Sequence, residues 1–335
     1  MKKVLFIANY KPGVGGISGQ VEKLHSYLDK EGVNNEVFST KGSLLYRIQA
    51  PLKLLKVAKD YEILHVHTCS QWGFVTTVLG VWAGKRLKKK VVVTYHGGGA
   101  DHFFSRHQRL VKKYLGRTNA NIVLSGFLGR VFDKYQIPYT IIPNVIELEE
   151  GRFRSRGCVA PKFISIRTLS PLYNIECILK AFALVKEKHP SSTLTIVGDG
   201  PSKEMLEQMV QSESIEGVCF VGRVNNAQIY DYLNQADIML SSPRIDNMPV
   251  SVLEGFNAGL LVISSNVGGV PYMIEKGVNG LLFESDHHLA LAEQMMWALS
   301  HQDESLQMIE KARESVKQYS WESVKSRLFA LYEKL

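Results

Sequence analysis

Short apolar runs rich in β-branched residues alternate with helical patterns along the chain, and this alternation constrains the fold more than any other feature. In the first half, the apolar runs occupy residues 4–8, 62–66, 90–95, 121–125 and 139–142. Helical patterns separate most of these runs, including the patterns at residues 17–32 and 103–117. Strands that alternate with helices pair in parallel, because each helix returns the chain to the start of the next strand. The first half therefore predicts a parallel α/β sheet.

A second series of the same kind begins after a charged, irregular stretch from Glu147 to Pro161, which is typical of a linker. Its predicted strands occupy residues 162–166, 193–197, 217–221, 237–240, 261–264 and 280–283. Its predicted helices occupy residues 174–189, 203–213, 226–235 and 250–258, and the tail from Asp286 onward is mostly helical. A chain of 335 residues is long enough for two domains of about 150 residues each. We expect two doubly wound α/β domains that face a central cleft, with ligands at the carboxyl ends of the strands.

The net charge of +8 is concentrated in the first half of the sequence. Residues 1–150 carry +11 and residues 151–335 carry −3. The excess clusters at Lys53, Lys56 and Lys59, and again within residues 85–90. A solvated basic face and attraction to an anionic membrane surface are both open interpretations. Nucleic acid is a weaker interpretation, because no nucleic-acid-binding motif accompanies the charge.

The composition also limits the class of protein. No run of 18 or more apolar residues occurs, so the sequence predicts no membrane-spanning helix. The apolar run that follows Met1 ends at Asn9, which is too early for a signal peptide, and it predicts a first β-strand. The four cysteines show neither metal-ligand spacing nor a C-x-x-C pair. They indicate reduced thiols in a cytoplasmic protein.

A glycine-rich loop follows the first predicted strand and opens a helix. It reads Gly13-Val14-Gly15-Gly16-Ile17-Ser18-Gly19. Glycines at a helix N-terminus let backbone amides approach a phosphate. A dinucleotide-binding fingerprint is disfavoured, because Ser18 occupies the place of its third glycine and the loop from Asn9 is too long for that tight turn. A loop that faces a phosphate or a sugar is favoured, and a purely structural turn is the alternative.

A second cluster of polar residues lies between a predicted strand and a predicted helix of the second half. Pro249 suits the first turn of the helix, where its missing N–H costs nothing. Asp246 then lies in the loop before the helix, and Glu254 lies about one turn inside it. Carboxylates bind sugar hydroxyls well, and free helix amides suit a diphosphate. The alternative is a solvated aspartate with a glutamate on the helix surface.

This second cluster resembles the E-x7-E signature of the retaining GT-B glycosyltransferases of group 1, the GT4 family, with Asp246 in place of the first glutamate. Further motifs agree with that family in order and spacing. They are Gly15-Gly16, His96 within residues 94–98, Pro143-Asn144, Arg167, and residues 197–201, 220–224, 268–271 and 279–282. The resemblance covers nearly the whole chain, and its specificity comes from the joint order of the motifs.

The resemblance implies a GT-B fold of two Rossmann-like domains. An acceptor-side domain would occupy residues 1–150, and a nucleotide-sugar-binding domain would occupy residues 151–318. A C-terminal helix within residues 319–335 would pack back on the first domain, as it does in the family.

The resemblance also implies roles for individual residues. The residues implied to act in catalysis are Asp246, Glu254, Arg167 and His96. Glu254 would bind the ribose hydroxyls, Asp246 would bind the donor sugar, and Arg167 would neutralise the diphosphate. His96 would touch the transferred sugar, and a strand-end histidine bonded to the backbone is the alternative. His65 and His67 are more typical of structural histidines than of catalytic ones.

Ten further residues are implied to bind the donor. They are Gly15, Gly16, Tyr173, Gly222, Arg223, Val224, Asn247, Met248, Pro249 and Val250. Gly16 would add a backbone donor to the diphosphate, and the backbone amides of Asn247, Met248 and Val250 would bind the sugar. Residues 222–224 would face the base.

The chemistry of the reaction explains why such residues are needed. When a sugar–phosphate bond breaks, negative charge grows on the nucleotide diphosphate, and fixed positive groups stabilise that charge at little reorganisation cost. GT-A enzymes hold a metal for this purpose with a D-x-D motif, and no D-x-D occurs in this sequence. We therefore expect Arg167 and helix amides to take the role, with no metal and no other cofactor. The family usually places a lysine five or six residues after the arginine, where Tyr173 stands here, so Arg244 or Arg223 would compensate or activity would be low.

The sequence thus predicts a retaining, metal-independent hexosyltransferase that uses a UDP- or GDP-linked sugar. The expected acceptor is a growing glycan or a lipid-linked sugar at the inner membrane face, in polysaccharide biosynthesis. Two alternatives stay open, a nucleotide-sugar 2-epimerase and a non-catalytic nucleotide-sugar-binding homologue. The expected location is the cytoplasm, with peripheral contact to an anionic membrane, and no nucleic-acid partner is expected.

Overall fold

A computed structural model describes residues 2–13, 15–148, 152–225 and 228–335. The chain divides into two compact units. Unit 1 comprises Met1–Val145 and Tyr319–Leu335, and unit 2 comprises Ile146–Gln318. Residues 150 and 151, between which the sequence analysis places the domain boundary, both lie outside the described residues.

Unit 1 is built on a six-stranded parallel sheet. Its strands are β1 (Val4–Ala8), β2 (Asn35–Ser39), β3 (Ile63–Thr68), β4 (Lys90–Tyr95), β5 (Ala120–Val123) and β6 (Thr140–Ile141). The strand order is β2-β1-β3-β4-β5-β6, and every pair is parallel. The first strand therefore lies inside the sheet, with the second strand on one side and all later strands on the other.

Seven helices belong to the described part of unit 1. They are α1 (Ile17–Lys30), α2 (Leu44–Ala58), α3 (Val75–Leu87), α4 (Ala100–Arg106), α5 (Gln108–Leu115), α6 (Gly126–Lys134) and the C-terminal helix, which spans Trp321–Glu333. A short 3₁₀ turn at Gln71–Phe74 precedes α3.

Helices cover both faces of this sheet, which explains why β1 is apolar and buried at every position. In β1, Leu5 and Ile7 join one apolar cluster, and Phe6 joins the cluster on the opposite face. The C-terminal helix completes the second of these clusters. Its Trp321 stacks on Tyr27 of α1 with ring centroids 5.0 Å apart.

Unit 2 is built on a second six-stranded parallel sheet. Its strands are β7 (Lys162–Ile166), β8 (Thr193–Val197), β9 (Val218–Gly222), β10 (Ile238–Ser241), β11 (Leu261–Ser265) and β12 (Leu281–Phe283). The strand order is β12-β11-β10-β7-β8-β9. Two parallel sheets, each flanked by helices, confirm the predicted doubly wound α/β class.

Six α-helices belong to the described part of unit 2. They are α7 (Ile175–Lys188), α8 (Lys203–Ser212), α9 (Ile229–Leu233), α10 (Val250–Asn257), α11 (His288–Ser300) and α12 (Gln302–Val316), so the C-terminal helix of unit 1 is α13. Short 3₁₀ segments lie at Val270–Tyr272 and Lys317–Tyr319. The linker is fastened to unit 2 by the buried Arg156, whose Nε donates to Oδ1 of Asp237 over 2.8 Å.

The structure differs from the predicted elements at three places. Strand β2 was missed because it lies at the sheet edge and is only half-buried, so its sequence lacks a continuous apolar run. The predicted helix at residues 103–117 is two helices, α4 and α5, which are separated at His107. Of the predicted helix at residues 226–235 the structure shows a shorter α9, and residues 226 and 227 lie outside the described residues.

Candidate functional site

The carboxyl ends of β7 and β10 lie where the strand order of the second sheet reverses. Strand β7 has β8, the next strand in sequence, on one side and β10 on the other. Such a reversal leaves a crevice at the sheet edge, and ligands of open α/β sheets bind there. Arg167 follows β7 directly, and Asp246 lies in the loop after β10. Nη2 of Arg167 is 3.1 Å from Oδ2 of Asp246, so the structure brings these two predicted residues together.

The guanidinium of Arg167 has two further neighbours. Nη2 donates to Oγ of Ser241 over 3.3 Å, and the guanidinium carbon lies 4.9 Å from the ring centroid of Tyr173. Only 9% of the Arg167 side chain is exposed. Its Nε is buried and makes no hydrogen bond to any described residue. Because buried donors are nearly always paired, this arginine has capacity left for an anionic ligand.

Tyr173 stands where the resemblance described above led us to expect a lysine, and it contacts Arg167 through its ring. Burial raises the pKa of Tyr173, the positive Arg167 lowers it, and the negative Asp246 raises it, with a net increase. The phenol is therefore protonated at neutral pH and brings no charge. Its ring face supports Arg167 through a cation–π contact.

Two glycines pack against the backbone of the Arg167–Asp246 pair. A Cβ atom at Gly198, where φ is +145°, would lie 1.8 Å from the carbonyl oxygen of Arg167. A Cβ atom at Gly268, where φ is +54°, would lie 2.0 Å from the carbonyl oxygen of Asp246. Gly269 N donates to the same Asp246 oxygen over 2.9 Å. Two glycine motifs of the sequence are thus explained by close backbone approach to the two residues.

Arg244 and Arg223, which the sequence analysis offers as replacements for the missing lysine charge, differ in their surroundings. Arg244 forms an ion pair of 2.8 Å with Asp286, so its charge is already neutralised. Arg223 is exposed at the end of β9 and forms no ion pair with a described residue. The preceding Gly222 accepts a hydrogen bond of 2.8 Å from Gly198 N, and Val224 is half-buried. Residues 222–224 therefore lie at the end of the edge strand β9, and Gly198, which follows β8, bonds to that end.

Helix α10 begins beside Asp246. Pro249 occupies the N-cap position, one residue before the first turn in which the sequence analysis places it, and Val250 is the first helical residue. Asn247 and Met248 are buried immediately before the cap. Asn247 N donates to Oδ1 of Asp246 over 2.7 Å, so one carboxylate oxygen binds the backbone and the other faces Arg167.

Glu254 lies on the fifth residue of α10 and is half-buried. Its negative charge is felt by Tyr230, because burial and this charge raise the pKa of Tyr230 to about 12. The Tyr230 hydroxyl accepts a hydrogen bond of 2.9 Å from Nδ2 of Asn257, and the guanidinium of Arg152 lies 4.5 Å from its ring centroid. The sequence analysis missed these three neighbours. Of the three, only Asn257 was predictable from the sequence, since it follows Glu254 by three positions and so shares its helix face.

In unit 1 the glycine-rich loop joins β1 to α1. Gly16 is the N-cap residue of α1, and its carbonyl oxygen accepts from Gln20 N over 3.1 Å. Gly15 and Gly16 are both exposed, and a Cβ atom at either would meet no atom within 4 Å. Open space therefore borders the positive end of a helix dipole. Val14 of this loop lies outside the described residues.

His96 follows β4 and is joined to a second histidine. Its backbone N donates to the carbonyl oxygen of Thr68 over 2.8 Å. Its ring Nε2 lies 2.9 Å from Nδ1 of His67 in β3, and the two rings stack 5.2 Å apart. The ring of His96 thus bonds to the ring of His67, and the backbone bond that the alternative interpretation expected of this histidine is made by its backbone N. Its Nδ1 makes no hydrogen bond to a residue in the described ranges.

His65 is accounted for by the fold. Its Nδ1 lies 2.6 Å from the hydroxyl of Tyr332 in α13, and its Nε2 lies 2.7 Å from Oγ1 of Thr94. Burial lowers the pKa of His65 to about 3, and it also lowers the pKa values of His67 and His96. All three rings are therefore neutral at neutral pH.

Nε2 of His67 is buried without a hydrogen bond to a described residue. It adjoins a cavity of about 20 Å³ that is lined in part by Gln20 and Asn144. A cavity of that size has room for about one water molecule, and Gln20 and Asn144 are polar groups in its otherwise mainly apolar lining.

Two features are absent from the described residues. No helix in these ranges is both long and apolar enough to cross a membrane. No three histidine, cysteine, aspartate or glutamate side chains in the same ranges lie close enough together to hold a metal ion.

Two family profiles match the chain in succession. The profile described as "Glycosyl transferases group 1" matches residues 159–315, and the profile described as "Glycosyltransferase Family 4" matches residues 14–150. The first of these segments contains Arg167, Asp246 and Glu254, and the second contains His96 and the glycine-rich loop.

Curated relatives match over most of their length. The alpha-monoglucosyldiacylglycerol synthase of Streptococcus pneumoniae is 25% identical over an alignment of 343 positions, which covers 87% of this chain and 77% of the relative. The N-acetyl-alpha-D-glucosaminyl L-malate synthase of Bacillus anthracis is 25% identical over 308 residues, which cover 86% of this chain and 79% of the relative.

Solved structures share the fold at lower sequence identity. The structure of Anabaena Alr3699/HepE in complex with UDP-glucose superposes with a TM-score of 0.82 at 16% identity and covers 100% of both chains. The sucrose-phosphate synthase from Thermosynechococcus elongatus superposes with a TM-score of 0.80 at 17% identity, over 100% of this chain and 99% of that one. These likenesses confirm the GT-B fold.

Proposed function

Because the chain belongs to the group 1 glycosyltransferases of GT-B fold, we propose that it transfers a hexosyl group from a UDP- or GDP-linked sugar with retention of anomeric configuration. The acceptor in this proposal is a glycan or a lipid-linked sugar. The observation that carries the proposal is the partly unsatisfied guanidinium of Arg167 beside Asp246 at the switch point of the second sheet.

Arg167 is proposed to bind the diphosphate of the donor. Its side chain is nine-tenths buried, so it acts in a region of low dielectric, where a fixed charge is worth far more than in water. The negative charge on the diphosphate grows as the sugar–phosphate bond breaks. A guanidinium held by Tyr173 and Ser241 stabilises that growing charge without having to reorganise.

The other residues at this edge are proposed to hold the rest of the donor. Asp246 and the backbone amides of Asn247, Met248 and Val250 would bind the sugar, because these residues precede or begin α10. The Asn247 amide would first have to exchange its bond to Oδ1 of Asp246 for one to the sugar. Glu254, one turn further into the helix, would accept hydrogen bonds from the ribose hydroxyls. Residues 222–224 would face the base.

For unit 1 the proposal rests on positions at the carboxyl edge of its own sheet. His96 would donate from Nδ1 to the transferred sugar, since its Nε2 is engaged by His67. The amide of Gly16 would donate to the diphosphate from the N-terminus of α1.

Metal independence is also a proposal. Its support is the absence of a D-x-D motif in the sequence together with the presence of Arg167 and the N-terminus of α10 at one strand edge. A lipid-linked acceptor at a membrane surface is supported by the name of one relative, an alpha-monoglucosyldiacylglycerol synthase.

The donor is best identified by thermal shift against UDP, GDP, ADP, CMP and their sugars. A ligand present at about 100 times its Kd stabilises the folded protein by about 2.7 kcal/mol. We expect one nucleotide diphosphate and its sugar to raise the melting temperature more than the others do.

The reaction is then tested by mixing that donor with candidate acceptors. Nucleotide release that depends on the acceptor supports the transferase, and ¹H NMR of the anomeric proton reports retention. A change of the free donor to its C2 epimer would support an epimerase instead. Donor binding without turnover on any acceptor would support the non-catalytic homologue.

A further inference from the structure

A row of exposed apolar side chains on α2 lies apart from the candidate site residues at the carboxyl edges of the two sheets. Its four side chains are 65–76% exposed, and they are Leu44, Leu45, Ile48 and Leu52. At 3.6 residues per turn, these positions fall within an arc of about 100°. The opposite side of the helix buries Ala50, Leu54 and Ala58 in the core of unit 1. Helix α2 is therefore anchored by one face and presents a second apolar face to its surroundings.

Basic residues border this row. Lys53 and Lys56 are exposed on the same helix, and Lys59 follows its end. No aspartate or glutamate occurs between Val37 and Lys59 in the sequence. We define the α2 face as the four apolar residues named above together with these three lysines.

The second basic cluster of the sequence joins the first. Nζ of Lys89 donates to the carbonyl oxygen of Lys59 over 2.7 Å, so the end of α3 lies against the end of α2. The cluster at residues 85–90 is thereby continuous with the α2 face, although about 30 residues separate the two in sequence. An apolar row and a mainly cationic region, with the exposed Asp60 and Glu62 beyond Lys59, form one surface.

We propose that the α2 face docks the protein on an anionic lipid bilayer. Its leucines and isoleucine enter the boundary between headgroups and acyl chains, and its lysines contact the anionic headgroups. Helices with one apolar face and one basic border bind membrane interfaces in this way, and the apolar and electrostatic contributions add. The inference deepens the proposed function, because it gives the surface by which the enzyme would reach a lipid-linked acceptor.

A second copy of the chain is a less favourable occupant of the same face. A symmetric pair brings the same patch of both copies together, so two sets of lysines would meet with no acidic residue of α2 to neutralise them. An anionic bilayer supplies the opposite charge. Charge complementarity thus selects the bilayer.

The test is flotation of the full chain with vesicles, without donor or acceptor. We expect strong binding to equal parts of phosphatidylglycerol and phosphatidylcholine, and weak binding to phosphatidylcholine alone. Higher salt should reduce the binding without abolishing it, because the apolar contribution is not screened. The triple variant Leu45→Ser, Ile48→Ser, Leu52→Ser should lower the partition coefficient by about ten-fold or more and remove the salt-resistant part.

Matched variants in unit 2 control for general loss of apolar or basic surface. Met205→Ser with Leu289→Ser removes two exposed apolar side chains elsewhere, and it should leave binding unchanged. Lys53→Gln with Lys56→Gln should weaken binding mainly at low salt, whereas Lys276→Gln with Lys311→Gln should not. Thermal shift by the nucleotide donor should be the same in the three double variants and in the triple variant, which separates this proposal from the proposed activity.

Three outcomes would overturn the inference. They are vesicle binding that ignores lipid charge, vesicle binding that the triple serine variant retains, and a concentration-dependent dimer that the triple variant dissociates while vesicles do not bind. The last outcome would assign the face to a second copy of the chain. A triple variant that fails to fold would lose its donor-induced thermal shift. In that case the vesicle binding of Leu52→Ser alone is measured, because this side chain is 73% exposed.

Discussion

Nη2 of Arg167 lies 3.1 Å from Oδ2 of Asp246, so the cation proposed to receive the diphosphate is ion-paired in the free protein. The incoming diphosphate and Asp246 then compete for one guanidinium. If Asp246 contacts the donor sugar as proposed, donor binding changes the partner of its carboxylate from an arginine to a hydroxyl. Loss of Arg167 and loss of Asp246 should therefore affect donor binding and sugar transfer to different extents.

Arg167→Ala should lower turnover by about 10²–10³-fold, because removal of one preorganised donor to a developing anion has effects of this size. Binding of the neutral nucleoside should stay within about two-fold, since no diphosphate is present to feel the lost charge. Steady-state kinetics and calorimetric titration with nucleoside and nucleoside diphosphate measure both. Arg313→Ala, an exposed arginine of α12, is the matched control. Equal kinetics in Arg167→Ala and the unaltered chain would remove this residue from the site.

Tyr173→Lys restores the cation that the family usually carries at this position. We expect the ratio of nucleoside-diphosphate affinity to nucleoside affinity to rise by up to about ten-fold, because a second charge faces the diphosphate. The melting temperature of the free protein should fall, since the lysine replaces a cation–π contact with repulsion from Arg167. Tyr173→Phe keeps the ring and serves as the control, with a small change in both quantities. A lysine variant without any gain in diphosphate selectivity would show that Tyr173 lies away from the phosphates.

Part of this site was accessible from the sequence and part was not. Strands β7 and β8 were predicted to the residue, because each holds three apolar residues within five positions and begins shortly after a proline. No local sequence pattern predicts the order of the strands in the sheet. Arg167 and Asp246 are 79 residues apart, and they meet only because β10 pairs with β7. The Glu254–Tyr230 neighbourhood was missed for the same reason, since packing between α9 and α10 leaves no spacing signal in the chain.

Glu254→Gln should weaken donor binding by about ten-fold, because each charge-assisted hydrogen bond to the ribose loses about 1–2 kcal/mol. The melting temperature of the free protein should change little, since the substitution keeps the shape of a half-buried side chain. Glu204→Gln on the exposed part of α8 is the control. Asp246→Asn should act mainly on turnover. Unfolding of Glu254→Gln with intact donor binding would make Glu254 a structural anchor.

Activity should survive a chelator, because the proposed mechanism places Arg167 and the α10 amides where a metal would otherwise act. Turnover measured in EDTA is expected to equal turnover in Mg²⁺ or Mn²⁺. Complete loss in EDTA that either ion restores would contradict the proposal. A donor-binding measurement in EDTA shows whether such a loss lies in binding or in transfer.

Acid should destabilise unit 1 through its buried histidines. Burial lowers the pKa of His65 to about 3 and lowers that of His67 well below its ordinary value near 6.5. Between these limits the unfolded chain binds protons that the folded chain does not, so the free energy of unfolding falls as the pH falls from about 6.5 toward 3. Each such histidine contributes a slope of up to about 1.4 kcal/mol per pH unit.

His67→Asn should therefore flatten the decline of the melting temperature between neutral and acidic pH. Its effect at neutral pH should be a loss of stability, because Nε2 of His96 loses its ring partner at 2.9 Å. His102→Asn, at an exposed histidine of α4, should leave the pH dependence unchanged. Calorimetry of the three proteins at a series of pH values makes the comparison. If His67→Asn and the unaltered chain lose stability in parallel as the pH falls, His67 does not stay neutral in the folded protein. A charged His67 would no longer fix the tautomer of His96, and the proposal that Nδ1 of His96 donates to the sugar would lose its support.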